Sequence, residues 1–344
     1  MQLLVTGGAG FIGSAFIRSL LRSSARDCFI VNLDLLTYAG NLENLNGFHD
    51  HPRYHFVHGD ICDQKLVEQL IEDHEIDAIV HCAAETHVDR SISHAKPFLD
   101  ANVYGTLSLL DAVRKFPEVR FHHVSTDEVY GSLGESGMFD ERSPYRPNSP
   151  YAASKAASDH LVRVFANTYG LNVTLSHCSN NYGPCQYPEK FIPLMITHCL
   201  QKKALPVYGR GTNIRDWLYV DDHAEALWAI VCRGKRGETY DIGGGTEKNN
   251  LEMLHLLIEC LAKATGEDPE KYRSLIRFVE DRPGHDYRYA ISSAKIEKEL
   301  GWKPKIMLEE GLAKTVRWYL KHKGDRCIQH SSHSNCDRSI EGHS

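Results

Sequence analysis

Residues 5–13 read VTGGAGFIG (Val5, Thr6, Gly7, Gly8, Ala9, Gly10, Phe11, Ile12, Gly13), and this stretch decides the fold. It follows a short apolar run, Leu3 to Thr6, and opens into an amphipathic segment of helix length over 11–22. Gly7, Gly10 and Gly13 fit GxxGxxG, and Gly8, Gly10 and Gly13 fit GxGxxG. Residues without side chains let backbone N–H groups approach a pyrophosphate at a helix N-terminus. Strand, glycine turn and helix in that order predict the first unit of a doubly wound sheet and a bound dinucleotide. Asp34 ends the second strand-like run, FIVNLD, about 20 residues beyond the glycines, where a carboxylate takes the adenosine ribose hydroxyls. Leu35 and Leu36 follow without an arginine, which favours NAD over NADP.

Outward from that motif, apolar runs alternate with helix-length segments. The runs are LLVT, FIVNLD, YHFVH, DAIVHCAA, VRFHHVS and NVTLSHCS; the helical patterns cover 11–22, 63–74, 97–115 and 151–169. Continuous apolar strands separated by helices predict an α/β protein with a Rossmann-type parallel sheet covered on both faces. After about Pro184 the rhythm changes to Pro-, Gly- and base-rich pieces, with helical patterns at 221–232, 250–264 and 308–322. We expect a dinucleotide-binding domain over 1–183, with segments near 216–243 returning to it. A smaller, interleaved substrate lobe is expected over 184–323. The polar tail, 324–344, is expected not to fold. Its Cys327, His330, His333 and Cys336 recur at every third position, which is not an established zinc spacing, so no metal is expected.

Bulk composition narrows the function classes. The chain has 344 residues and a net charge of -6, with no basic field for nucleic acid. No apolar run approaches the roughly 18 residues of a membrane span. The start, MQLLVT, shows no basic leader. Of ten cysteines, Cys28, Cys82, Cys199, Cys232 and Cys260 sit inside apolar runs as small hydrophobes, and no CxxC occurs. A reduced, cytoplasmic protein is expected.

Two further stretches carry chemistry. In YAASK, Tyr151 and Lys155 are four residues apart at a helix start and so share a face. A nearby ammonium favours the phenolate, so the tyrosine pKa is expected to fall and make a usable base. In STDEVYG, Asp127 and Glu128 stand where the strand VRFHHV runs out, flanked by Thr126. Neighbouring like charges push two carboxyl pKa values apart, giving one acid and one base.

With these motifs the chain resembles the extended short-chain dehydrogenases that act on nucleotide sugars, from about Met1 to Leu320. TGGAGFIGS, LTYAGNL, AAETHVDRSI, STDEVYG, SPYAASKAASDHLV, SNNYGP, PEKFIPLMI, IRDWLYVDDHA and DRPGHDYRYAI carry the resemblance, which is strongest to the branch that dehydrates hexoses. It implies that Gly7, Gly10, Phe11, Ile12, Asp34, Asp60, Ile61, Ala83, Tyr151, Lys155 and Asn181 hold NAD. Thr86, Thr126, Asn180, Lys190, Arg215, Asn250 and Arg282 would face the nucleotide sugar, with Tyr208 and His285 nearby. Thr86 stands where the family more often has serine, and keeps the hydroxyl. The implied catalytic set is Thr126, Asp127, Glu128, Tyr151 and Lys155. Tyr151 would take the C4 hydroxyl proton while NAD takes hydride; Glu128 would then take the C5 proton and Asp127 protonate the C6 hydroxyl. The expected substrate is dTDP-glucose, the expected product its 4-keto-6-deoxy sugar, and the expected assembly a homodimer. The base of the nucleotide stays open, since thymine differs from uracil by one methyl. A 4-epimerase or decarboxylase shares the glycines and the Tyr–Lys pair, but an epimerase has no need of adjacent acids for C5 and C6, and a decarboxylase should recognise a carboxylate at C6. A non-catalytic NAD-binding scaffold is the alternative outside enzymes.

Overall fold

The computed structural model describes residues 1–322. Seven strands form a wholly parallel sheet: β1 (Gln2–Thr6), β2 (Phe29–Asp34), β3 (Tyr54–His58), β4 (Ala78–His81), β5 (Arg120–Thr126), β6 (Val173–Cys178) and, far along the chain, β10 (Thr239–Ile242). Their order is β10-β6-β5-β4-β1-β2-β3. The order reverses between β1 and β4, and a crevice opens beyond the carboxyl ends of the strands at such a point. The strands are apolar on both sides because helices cover both faces. On one face Phe16, Ile17 and Leu20 of the helix Phe11–Arg22 pack with Leu227 and Ile230 of the helix Val220–Arg233. On the other, Leu109, Leu110, Val162 and Phe165 pack from the helices Gly105–Val113 and Pro150–Tyr169. Each such side chain, fully buried, contributes about 1.5–3 kcal/mol.

The remaining strands are β7 (Asn180–Tyr182), β8 (Leu205–Tyr208), β9 (Ile214–Tyr219), β11 (Glu247–Asn249) and β12 (Ile276–Val279). β7, β9 and β11 make one small sheet, and β8 with β12 another. Beside them the helices Phe191–Gln201, Asn250–Thr265 and Leu308–Lys321 share a separate core of Ile196, Leu254, Ile258, Leu312 and Val316. A division of the chain near 183 into a dinucleotide lobe and a substrate lobe remains our proposal. β10 lies in the first sheet and β9 in the small one, so the chain crosses between these layers more than once.

One helical expectation is modified. The segment 97–115 is not one regular helix: a π-helical stretch, Leu99–Tyr104, separates Lys96–Phe98 from Gly105–Val113. Such widened turns often mark functional positions. Here Asn102 is buried, with its side chain donating to the Glu85 carbonyl (3.0 Å) and the Ser154 hydroxyl (2.8 Å) and accepting from the Glu85 amide (2.8 Å). It ties the chain after β4 to the helix Pro150–Tyr169.

A buried ionic network joins that helix to the sheet. His177 on β6 reaches Asp159 through Nε2 (3.1 Å) and Asp241 on β10 through Nδ1 (2.9 Å). Tyr145 and Ser125 donate to Asp159, and Tyr130 donates to Asp241. Burial works against a charged imidazole, but the two carboxylates outweigh it and lift His177 to about 9. A pKa raised on folding stabilises fully below the unfolded value near 6.5 and is lost as pH rises through about 9. The linked term is on the order of 3 kcal/mol. Denaturant unfolding at a series of pH values should therefore show stability falling between about pH 6.5 and 9. His177→Gln should be destabilised at pH 6.5 and lack that component; an unchanged pH dependence in this variant would contradict the assignment.

Candidate active site

The glycine loop is shaped by close approach. Gly7 has φ +69°, and a Cβ there would lie 2.6 Å from the Ala83 backbone. A Cβ at Gly13 would run into the Gly7 carbonyl. At Gly10, by contrast, a Cβ would meet only the Gly7 oxygen, at 3.2 Å, so the loop is open at this position. Asp34 braces the loop: Oδ2 accepts from the Ala9 amide (2.9 Å) and Oδ1 from the Leu36 amide (2.8 Å). Phe11 and Ile12 begin the helix behind the loop. Asp60 and Ile61 follow β3, and the Asp60 carboxylate accepts from the Cys62 amide (2.9 Å). These residues and Ala83 line one rim, formed by the carboxyl ends of β1 to β4. An open glycine loop at a helix N-terminus with a carboxylate beside it fits a dinucleotide.

The acid pair lies on the other side of the switch point. Thr126 ends β5 and caps the single turn Asp127–Tyr130, its Oγ1 accepting from the Glu128 amide at 3.3 Å. Asp127 is buried, and its pKa is pushed well above the carboxylate range, first by burial and then by Glu128 and Asp216. Burial also raises Glu128, but Arg282, Arg215 and Lys190 pull it back toward the charged form. The two neighbours thus meet different fields: Asp127 is held as the acid, while three cations favour a carboxylate at Glu128.

The helix Pro150–Tyr169 brings Tyr151 and Lys155 against this end of β5. Ser149 caps the helix and Pro150 stands in its first turn, where its missing N–H costs nothing. Tyr151 is buried at this end of β5, where the Thr126 side chain favours its phenolate. The expected fall in its pKa does not occur. Burial, and after it the charge of Glu128, push the phenol well above its usual value. Lys155 does not offset this, because its Nζ donates to the Val124 carbonyl (2.9 Å) and lies 3.3 Å from His123 Nε2. Burial also draws the Lys155 pKa down, while Asp159 raises it.

Besides Thr126, the residues expected to meet substrate come from five stretches of chain, at Thr86, 180–190, 208–215, Asn250 and 282–285. Lys190 donates to the Thr86 carbonyl (2.7 Å). Asn180 and Asn181 open β7, and Asn181 Oδ1 meets His223 Nδ1 at 2.9 Å. Arg215 is no surface ion pair: it is buried, lies over the Tyr289 ring (4.3 Å) and donates to the Asp286 carbonyl (3.0 Å). Arg282 pairs with Asp89 (3.1 Å), which also accepts from the Tyr208 hydroxyl (3.3 Å). His285 meets Asp281 at 2.6 Å and stands edge-on to Tyr208. Asn250 opens its helix two residues after Lys248, the partner of Arg215 in the β9–β11 pair.

Reading the sequence missed two carboxylates here. Asp89 bridges Arg282 and Tyr208, and Glu189 lies between His87 (3.4 Å) and Arg90 (3.5 Å). A signal for Glu189 was its adjacency to Lys190 in PEK; Asp89 had none beyond its place in VDR. Cys232 is exposed rather than buried, because it sits on the outer side of the helix Val220–Arg233. Among the described residues no cluster could hold a metal ion, and the Cys/His tail lies outside them.

A family model described as GDP-mannose 4,6 dehydratase matches residues 4–315. The chain belongs to this dehydratase family. The dTDP-glucose 4,6-dehydratase of Neisseria meningitidis is 52% identical over 335 residues, covering 94% of this chain and 94% of that one. The structure is similar to the dTDP-glucose 4,6-dehydratase of Streptomyces venezuelae solved with NAD and dTDP bound (TM-score 0.89, 49% identity, 94% and 98% covered). It is also similar to a UDP-glucose 4-epimerase of Thermotoga maritima, at 29% identity (TM-score 0.84, 94% and 100% covered). The fold of this chain is therefore shared by a dehydratase and an epimerase.

Tyr151→Phe tests the tyrosine directly. It keeps the ring and its edge contact with Phe98 (6.4 Å) and removes only the ionisable oxygen. Turnover of a nucleotide sugar should fall by about 10²-fold or more, with the melting midpoint little changed. Near-normal turnover would rule the phenol out as the base.

Proposed function

We propose that this chain is an NAD-dependent hydro-lyase that converts dTDP-glucose to dTDP-4-keto-6-deoxyglucose and water. One observation carries the reading. Asp127 and Glu128 stand side by side at the end of β5, one buried among carboxyl groups with Arg215 as a weaker counterweight, and the other faced by Arg282, Arg215 and Lys190. Loss of water across C5 and C6 needs such a divided pair, whereas a 4-epimerase has no use for it. NAD, when bound, supplies the redox chemistry, taking hydride from C4 and returning it at C6. The residues proposed to hold it are Gly7, Gly10, Phe11, Ile12, Asp34, Asp60, Ile61, Ala83, Tyr151, Lys155 and Asn181.

The chain's own groups do the rest. Tyr151 takes the C4 hydroxyl proton, and the resulting ketone acidifies C5–H. Glu128 takes that proton, and Asp127 protonates the C6 hydroxyl as it leaves. Arg215 and Arg282 suit the diphosphate because their charge is permanent and their fork matches phosphate oxygens. Lys190, Thr86, Asn180, Asn250, Tyr208 and His285 complete the proposed substrate side. The product is an activated deoxysugar precursor.

The setting proposed is cytoplasmic, which suits the eight described cysteines, all of them free. Among the described residues no helix is long and apolar enough to cross a membrane. A homodimer is proposed through the helices around Leu99, Tyr104, Val164 and Tyr169, large apolar side chains left exposed.

The test is a panel of dTDP-, UDP-, CDP- and GDP-hexoses read by mass, with no added reductant. dTDP-glucose should give a product lighter by one water. Unchanged mass with every donor would contradict the reading, and a preference for another base would correct the substrate. Glu128→Gln, run in D₂O, should lower water loss by about 10²-fold and deuterium incorporation at C5 with it. Full C5 labelling in this variant would place the base elsewhere.

A further inference from the structure

The cofactor cleft carries a set of contacts in which none of the proposed catalytic side chains takes part. β2 and β4 flank β1 in the sheet, so the chain leaving each of them stands on either side of the glycine loop. After β2 the chain turns back onto that loop: the Asn41 amide (3.0 Å) and the Asn44 side chain (2.8 Å) both donate to the Ala9 carbonyl. After β4 it runs through Thr86 into the helix Val88–Ser93. The two stretches meet. Arg90 lies over the Tyr38 ring, 4.3 Å from its centre, within the roughly 6 Å at which an aromatic face attracts a guanidinium. One partner comes from each side of β1, so the contact spans the carboxyl end of that strand. There a glycine turn and a helix N-terminus take a pyrophosphate.

A third stretch, from the chain after β7, holds the pair. Tyr187 packs against Tyr38 with ring centres 5.3 Å apart and planes at 89°, a favoured arrangement of two rings. Glu189 lies 3.5 Å from Arg90 and 3.4 Å from His87. Lys190 donates to the Thr86 carbonyl (2.7 Å) and so ties the same stretch to the chain after β4. The helix Val88–Ser93 is anchored in turn to the helix Pro150–Tyr169, because the Tyr151 amide donates to the Ser91 hydroxyl (3.2 Å). Both ring contacts end on Tyr38, which makes it the centre of the arrangement.

On the dehydratase reading the sugar gives up a hydride at C4 and regains it at C6, so exchange of the dinucleotide in between loses the turnover. Resting on that reading, we propose that Tyr38, Arg90 and Tyr187 form a clasp across the glycine loop that holds NAD in place from one turnover to the next. Such contacts act mainly on release rather than on arrival.

The clasp is tested by isotope uptake, with no sugar present. Protein carrying its resident NAD is mixed with excess NAD labelled in the adenine, and the label retained on the protein is followed in time. Tyr38→Ala removes both ring contacts and should release NAD about 10-fold faster than the wild type. Arg90→Ala removes one of them and should release it about 3-fold faster. Tyr38→Phe keeps the ring and should match the wild type. The Arg90 side chain is 51% exposed, so its truncation tests the clasp without disturbing a core. In Tyr38→Ala, turnover of dTDP-glucose should also fall on dilution and recover with added NAD. Release from Tyr38→Ala and Arg90→Ala at the wild-type rate would overturn the clasp, whatever their turnover. Fast release from Tyr38→Phe would overturn it too, by assigning the effect to the hydroxyl rather than the ring. If the two alanine variants release NAD faster while the wild type leaves dTDP-glucose unchanged, the dehydratase reading falls and the clasp stands.

Discussion

Asp159 is the constraint on which the site depends. It lies fully buried on the helix Pro150–Tyr169 and is held by His177 from β6, with His123 of β5 at 3.3 Å. Burial opposes the charged carboxylate, yet the two imidazoles keep it well below the usual carboxylate range. Removing one partner of such a buried pair typically costs about 3–5 kcal/mol, since the other charge is left uncompensated. The contact therefore fixes where the helix sits on the sheet. One turn earlier on that helix is Lys155, and one turn before that is Tyr151. Their position opposite Thr126, Asp127 and Glu128 follows from an interaction that touches no substrate.

With the helix fixed, the chemistry divides by environment. Asp127 turns inward, among other carboxyl groups, while Glu128 meets three cations brought in by the chain after residue 183. Adjacent residues in sequence thus meet different fields: Arg215 alone opposes the carboxyl neighbours of Asp127, whereas Arg282, Arg215 and Lys190 all act on Glu128. Asp89 has a comparable relation to the substrate side. It engages Arg282 and Tyr208, two of the groups proposed to meet the nucleotide sugar, and so holds them near the cleft.

Much of this was legible in the chain because the signals are local. VTGGAGFIG, Asp34 at the end of FIVNLD and the alternation of apolar runs with helical segments predict the parallel sheet and its cleft. YAASK and STDEVYG contain the groups proposed to react. The sequence did not reveal their electrostatics. Lys155, one turn from Tyr151, was expected to lower the phenol pKa, but its ammonium is turned to the Val124 carbonyl and His123. The network of His177 and Asp241 spans 64 residues, and no spacing rule reaches that far. The π-helical stretch at Leu99–Tyr104 was hidden because its residues suit an ordinary helix, and it is the tether through Asn102 that holds it. Glu189 and Asp89 act through partners supplied by distant loops.

The central claim is that one sugar is oxidised at C4 and reduced at C6 within a single closed site. It is tested most directly with dTDP-glucose deuterated at C4. The account predicts that the product carries this deuterium in its C6 methyl group, with none lost to water. Deuterium released to solvent, or retained at C4 in every product, would contradict it.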